Sequence, residues 1–413
     1  MTNRAIAEPL SQDLEDVLDG LERFVKAEVI DLHTEHAELL DDVRRRFGPD
    51  GAYSPEVVAL IRRIRTASAR AGYFNLAVPE SMGGGGMGHL AYLAAWERIY
   101  HLCGGSRWLA QFTISHWAFG PSAVLERVTD RAREQVLPGL MAGETMMCFG
   151  MSEPDAGSDA TMIRTRAEPE GDGWRLYGRK IWTTHVTIAE WMIVLAVTDP
   201  ERARAKRGGI SAFLVPTSAE GFRLDRVIGM WGEPGGSEAE SVFDGVRVEP
   251  WQLVGDLHEG FQIGLLGVSL GRIYNTARSV GLSRWALELA IEYAKQRQAF
   301  GKPISEYQGV AFPLAESATE IHAAHLLGRN AAALLDSGHR AVKELSMAKT
   351  FAVRAAVRAV DRAMQTHGAM GFTNEVGLAE AYHVLRVINV ADGTNEILNR
   401  TIFQRLAGGD TDL

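Results

Sequence analysis

The hydrophobic period of this 413-residue chain changes twice, and those changes constrain the fold more than any other feature. Before about residue 143 the pattern is helical. Leu14, Val17, Leu18, Leu21, Phe24, Val25 and Ile30 recur at three- and four-residue spacing, one face of an amphipathic helix. Ser54-Pro55-Glu56 reads as an N-cap with Pro at the first helical position, opening a helix to Arg70 that 71–73 close. Segments 89–101, 107–117 and 129–141 are expected to be helices too. From about 146 the period becomes two. Segments 161–167 and 174–182 flank the hairpin signal 168–173, and 191–197, 210–215 and 241–248 read as further strands. Short strands separated by Gly/Pro turns predict an antiparallel sheet or small barrel, with 202–209 an exposed basic loop. From 260 the chain is helical again, over 261–297, 305–337, 340–368, 378–390 and 396–406, which predicts a bundle. The fold class is therefore α+β. It comprises an N-terminal helical domain (1–145), a middle antiparallel β domain (146–258) and a C-terminal four-helix bundle (259–413).

The formal net charge is −9 with no basic tract, which disfavours nucleic acid or an anionic membrane as partner. A polyphosphate ligand would need local arginines to offset that field. Cys103 and Cys148 lack metal spacing and read as buried, reduced thiols of a cytoplasmic protein. Residues 1–13 are neither a signal nor a transit peptide, and no window reaches ~18 apolar residues, so no membrane span is expected. Gly83 to Gly88 satisfies G-x-G-x-x-G, but no βαβ unit surrounds it; a flexible surface loop is expected. No metal site and no Ser/His/Asp triad can be argued. His367 and His383, on helical stretches, read as packed or solvated.

Between the two regimes lies 150–159, Gly-Met-Ser-Glu-Pro-Asp-Ala-Gly-Ser-Asp, rich in backbone N–H groups, hydroxyls and small residues that admit a ligand closely. Glu153, Asp155 and Asp159 argue against a bare anion nest. With Trp182-Thr183-Thr184, with 297–302 and Tyr307-Gln308, and with 365–372 running on to Asp392-Gly393-Thr394, this stretch resembles the acyl-CoA dehydrogenase family. Four matches in the right order span nearly the whole chain, and helices, strands, then helices is that family's architecture.

The resemblance implies FAD, held without a Rossmann fold. Backbone groups from Phe149 through Met151 to Ser152 would meet the flavin ring, Trp182 would supply a flat face and Thr184 a hydroxyl. As a core aromatic, Trp182 has an equally simple structural role. The dinucleotide tail would reach a neighbouring subunit, where Arg297, Phe300, Gln308, Gln365 and Gly368 receive it; Thr394 and Glu396 complete the cofactor set. Ser158, Arg272, Arg340 and Gly393 match positions near the thioester and its coenzyme A carrier. Arg297 as a solvated charge and Arg340 as an exposed turn arginine remain the alternatives.

The family's chemistry is α,β-dehydrogenation of an acyl-CoA thioester to the 2-enoyl-CoA. A carboxylate takes the α proton while a hydride leaves the β carbon for flavin N5, and donors polarise the thioester oxygen. Glutamate usually precedes Gly-Thr; here it is Asp392, and the alternative base position is Gly271. Asp392 is thus the only carboxylate at either known position, although 392–394 could also simply form a turn and cap. Its reach is ~1.5 Å shorter than that of Glu. Such a misplacement can cost ~10²-fold in rate. His185, Ala369 and Ala391 also depart from the common pattern. The expected partners are an acyl-CoA, an electron-transfer flavoprotein or similar acceptor, and further copies in a homotetramer or dimer, in fatty-acid metabolism. The rivals are a nitroalkane-oxidase-like or other flavin oxidation on this fold, and a non-catalytic acyl-CoA-binding homologue.

Overall fold

Four of the nine longer helices among the described residues begin at a side-chain cap that the sequence spells out. In the computed structural model, which describes residues 9–231 and 233–412, the first is α1 (Gln12–Val25), where Ser11 accepts the Leu14 amide. Then follow α2 (Pro55–Arg70), capped by Ser54, α3 (Gly88–Cys103), and α4 (Asp130–Met141), capped by Thr129. The strands are β1 (Met147–Gly150), β2 (Arg166–Glu170), β3 (Gly173–Thr184), β4 (Trp191–Val197), β5 (Ile210–Pro216), β6 (Phe222–Ile228), β7 (Glu238–Val248) and β8 (Leu253–Val254). The last helices are α5 (Gly260–Gln296), α6 (Gln308–Asp336), α7 (Val342–His367), α8 (Leu378–Ile388) and α9 (Asn395–Ala407), whose cap is Thr394. Each such cap is worth about 1 kcal/mol. Among the described residues, no helix is long and apolar enough to cross a membrane.

The chain forms two compact units. One comprises 9–32, 87–111 and 269–412 of the described residues and is helical. Its α7 presents Ala348, Ala352, Ala355, Ala356, Ala359 and Ala363 as a buried small-residue face, against which α6, α8 and α9 pack. Val280 of α5 joins Ile321, Ala324, Ala352 and Ala359 in one core cluster. The other unit comprises 33–86 and 112–268, built around a sheet in the order β6-β7-β3-β2-β4-β5-β8. Its pairing is antiparallel, except that β1 runs parallel beside β4 and β2 touches β4 in a parallel bridge. Met192 to Ala196 of β4 and Ala212 to Val215 of β5 are buried on both faces. α5 begins in this unit and continues into the first.

Four local expectations are corrected. Segment 107–117 holds only a short 3₁₀ turn, Trp108–Phe112. Leu109, Ala110, Phe112, Ile114 and Trp117 are all buried, so this run is apolar all round rather than on one helical face. Segment 161–167 becomes a strand only at Arg166, because the amides of Arg164 and Thr165 donate to Glu153 instead of to a neighbouring strand. Segment 202–209 contains a short helix, Pro200–Arg204, capped by Asp199, and Arg202 pairs with Glu259 at 2.7 Å. The glycine run at 83–88 is tied down rather than loose. The amides of Gly84 and Gly85 donate to Pro79 and Asn75. A Cβ on Gly84 would lie 2.2 Å from the Val78 carbonyl, a close approach that only glycine permits.

Candidate active site

The turn joining α8 to α9 is built from two left-handed residues, Asp392 at φ +52° and Gly393 at φ +94°. Aspartate tolerates that region better than most side chains, at a cost of about 1 kcal/mol. Tertiary contacts hold the turn there. Arg272 Nε of α5 donates to the Asp392 carbonyl at 3.3 Å, and Lys349 Nζ of α7 donates to the Gly393 carbonyl at 3.0 Å. Asn275 Nδ2, one turn after Arg272, donates to the Asp392 carboxylate at 2.7 Å. Asn395 is bonded back to Asn389 at 2.6 Å, closing the loop.

This packing sets the proton affinities. Burial pushes the Asp392 carboxyl up from 3.8 to about 6, although Lys349, Arg272 and the Asn275 amide all favour its ionised form. Burial pushes Lys349, with no exposed surface, down to about 8, while Asp392 pulls it back up. A carboxylate tuned near 6 suits a general base, because it is ionised at neutral pH yet basic enough to take a proton. Asn275 and Lys349 reach this turn and were not among the sequence candidates.

The second unit gathers the 150–159 loop against the end of β3. Lys180, fully buried, donates to Glu153 at 2.7 Å and to the Met151 carbonyl at 3.1 Å. Glu153 also accepts the amides of Arg164 at 2.6 Å and Thr165 at 2.9 Å, which is why this loop is no anion nest. The Ile181 amide donates to the Ser152 carbonyl at 3.0 Å. Pairing of β3 with β7 slips between Lys180 and Thr183, where Trp182 takes φ +61°. This twist turns the indole outward, leaving it 54% exposed, so Trp182 is not a core aromatic. Thr184, two residues on, donates its hydroxyl to Glu238 at 3.3 Å. Phe149 and Met151 are half-buried, with the Phe149 ring 4.8 Å from that of Trp117. An uncovered aromatic face beside a hydroxyl and a pinned loop fits the face of a flat heteroaromatic ring such as a flavin.

The remaining candidates fall into place as follows. Arg297 precedes, and Phe300 forms the turn of, a tight two-strand ribbon before α6, which Gln308 begins; Phe300 is 97% exposed at φ +49°. Tyr293 stacks on His367 at 4.5 Å, which brings the Gln365 to Gly368 end of α7 to that corner. His367 is packed, bonded to the Ala363 carbonyl at 2.8 Å. Thr394 is the α9 cap, and the exposed Glu396 carboxyl is held below its usual range by its own backbone amide. Ser158 is exposed in the loop. Arg340 is exposed and lines a cavity of about 300 Å³ with His339, Arg405 and Asp410. Arg272 reaches the Asp392 turn from α5.

The chain matches the family models described as acyl-CoA dehydrogenase N-terminal, middle and C-terminal domains over residues 11–144, 148–246 and 258–407. It is 32% identical to a 3-(aryl)acrylate reductase of Clostridium sporogenes, covering 90% of this chain and 99% of that protein. It is 31% identical to the caffeyl-CoA reductase–Etf complex subunit CarC of Acetobacterium woodii, over 88% and 92%. The solved butyryl-CoA dehydrogenase of Megasphaera elsdenii superposes with a TM-score of 0.80 at 27% identity, over 97% of this chain and all of that one. With its helical, β and helical domains, the chain belongs to the acyl-CoA dehydrogenase family of oxidoreductases, flavoproteins that act on acyl-CoA thioesters.

Proposed function

We propose that this protein oxidises an acyl-CoA to its 2-enoyl-CoA, with Asp392 taking the α proton. The observation that carries this reading is the Asp392 carboxylate itself. It is half-buried, aimed by a strained turn, and surrounded by Arg272, Lys349 and Asn275. Bound FAD would supply the hydride acceptor. Trp182 would cover one face of the ring, with Ser152 and Thr184 at its polar edge. Arg297, Phe300, Gln308, Gln365 and Gly368 of a second copy would hold the adenine end, so the working protein is an oligomer, a homotetramer on the family's pattern. Ser158 and Arg340 are assigned to the coenzyme A carrier and Gly393 to the thioester. Electrons would leave to an electron-transfer flavoprotein, a partner class supported by the Etf-complex relative.

Anaerobic mixing with a panel of acyl-CoAs tests the reading: stoichiometric bleaching of the flavin supports it. Oxygen consumption with nitroalkanes instead would support the rival oxidase, and a colourless purified protein would support a binding homologue.

The rate of flavin reduction should rise with pH in one protonic step centred near 6 and then level off, because only ionised Asp392 accepts the proton. Stopped-flow rates between about pH 5 and 8 check this, and a flat profile would exclude Asp392. Arg297→Ala should weaken FAD retention by about 10- to 100-fold with little change in folding, since an arginine on a pyrophosphate makes charge-assisted bonds. Flavin content after gel filtration measures the loss.

A second reading runs the same residues in reverse. Two relatives are named reductases, and a carboxyl near 6 holds a proton readily. Asp392 would then protonate the α carbon of a 2-enoyl thioester. Reoxidation of the pre-reduced protein by enoyl-CoAs, with no bleaching by saturated acyl-CoAs, would favour this direction.

A further inference from the structure

We infer that Asn275 is the positioning residue of the base: it holds Asp392 Oδ2 and leaves Oδ1 as the oxygen that takes the substrate proton. This rests on the reading of Asp392 as the base. The bond is 2.7 Å long, and Asn275 is only 4% exposed, so its amide has no water to turn toward. The nearby cations are engaged elsewhere. Lys349 Nζ donates to the Gly393 carbonyl, and Arg272 Nε to the backbone carbonyl of Asp392. Both attract the carboxylate through space, but the amide contacts it directly.

The position on α5 explains how so short a group is fixed. Ile273, Ala277 and Val280 are buried around Asn275, and the Ser279 hydroxyl donates to the Asn275 carbonyl at 2.7 Å. The amide is therefore presented by a rigid, packed helix rather than by a loop. Aspartate in a left-handed turn has few rotamers, and one strong donor on Oδ2 selects among them. The other oxygen is then oriented without a second tether, which compensates for the shorter reach of aspartate. Because the bond favours the charged form, it also opposes desolvation. The charged and titratable groups facing Asp392 are Arg272 on the same helix, Lys349 on α7 and Tyr92 on α3, and none of them replaces that donor.

Asn275→Leu removes the donor at similar volume. In the FAD-loaded holoenzyme, flavin reduction at neutral pH should slow by about 10- to 100-fold, the range for a hydrogen bond to a charged group. Its pH profile should move up by roughly one unit, with KM little changed. Asn275→Ala carries the same test if the leucine variant folds poorly, and FAD content separates misfolding from lost positioning. Placed in an Asp392→Asn background, Asn275→Leu should add no further loss. An unshifted pH profile in a folded Asn275 variant overturns the proposal. Full activity of Asp392→Asn alone overturns the underlying reading of the base instead.

Discussion

Asp392→Asn is expected to keep the fold and the cofactor and to slow flavin reduction by about three orders of magnitude or more, the loss expected when the sole proton acceptor is removed. Asparagine keeps the shape and can still accept from Asn275, so the left-handed turn and its ties to Arg272 and Lys349 survive. Stability should rise rather than fall. The folded carboxyl ionises near 6, above its ordinary 3.8. A raised carboxyl favours folding below its unfolded value and loses that advantage as pH climbs through about 6, so at neutral pH the desolvated charge is a net burden. Removing it should stabilise the protein by about 1–3 kcal/mol. The gain is limited because Lys349 and Arg272 lose a counter-charge. Stopped-flow reduction and thermal unfolding at neutral pH check both halves. A variant that is inactive and also much less stable would mean that Asp392 serves structure and not proton transfer.

Lys180→Met should destabilise the β-containing unit by about 3–5 kcal/mol, the range for breaking a buried ion pair from one side. Glu153 would keep its two amide donors but lose the ammonium that balances its charge. Burial presses Lys180 down to about 8, and Glu153 lies below its ordinary range despite its own burial, so each partner depends on the other. The pH sign follows. In the native protein the Glu153 interaction is present above its unfolded value and is lost as acid protonates it. In Lys180→Met the stranded carboxylate can relieve its burial by taking a proton, so the deficit should shrink toward about pH 5. Denaturant unfolding at neutral pH and near that value measures it. Flavin content should fall as well, because Lys180 also ties down the Met151 carbonyl. Glu153→Gln combined with Lys180→Met should recover part of the stability. An equal deficit at both pH values would mean lost packing rather than a stranded charge.

What the sequence determined by itself is short-range. Caps at Ser54 and Thr394, the helix beginning near 129, the runs of α5 to α9 and the hairpin of β2 and β3 all stand close to where the sequence pattern places them. Each depends on residues within a turn or two, so the pattern suffices. Asp392 as the candidate base was also legible, through motif order rather than geometry. Longer-range features were not. Strand β6 escaped notice because its charged, exposed residues show no buried face, and it exists only as an edge partner of β7. Whether Trp182 is core or surface was left open by its type, and a slip of register against β7 decided it. The Asn275–Asp392 bond joins residues 117 apart, and Lys349 reaches the same turn from 44 residues away. Neither has a local signature, since an asparagine or lysine on an apolar stripe acquires a partner only when another helix packs against it. Proton affinity follows the same logic: one aspartate type gives a carboxyl near 6 at Asp392 and near 2 at Asp42, where Arg44 donates to it. Burial and the donors supplied by folding, not the residue type, make that difference.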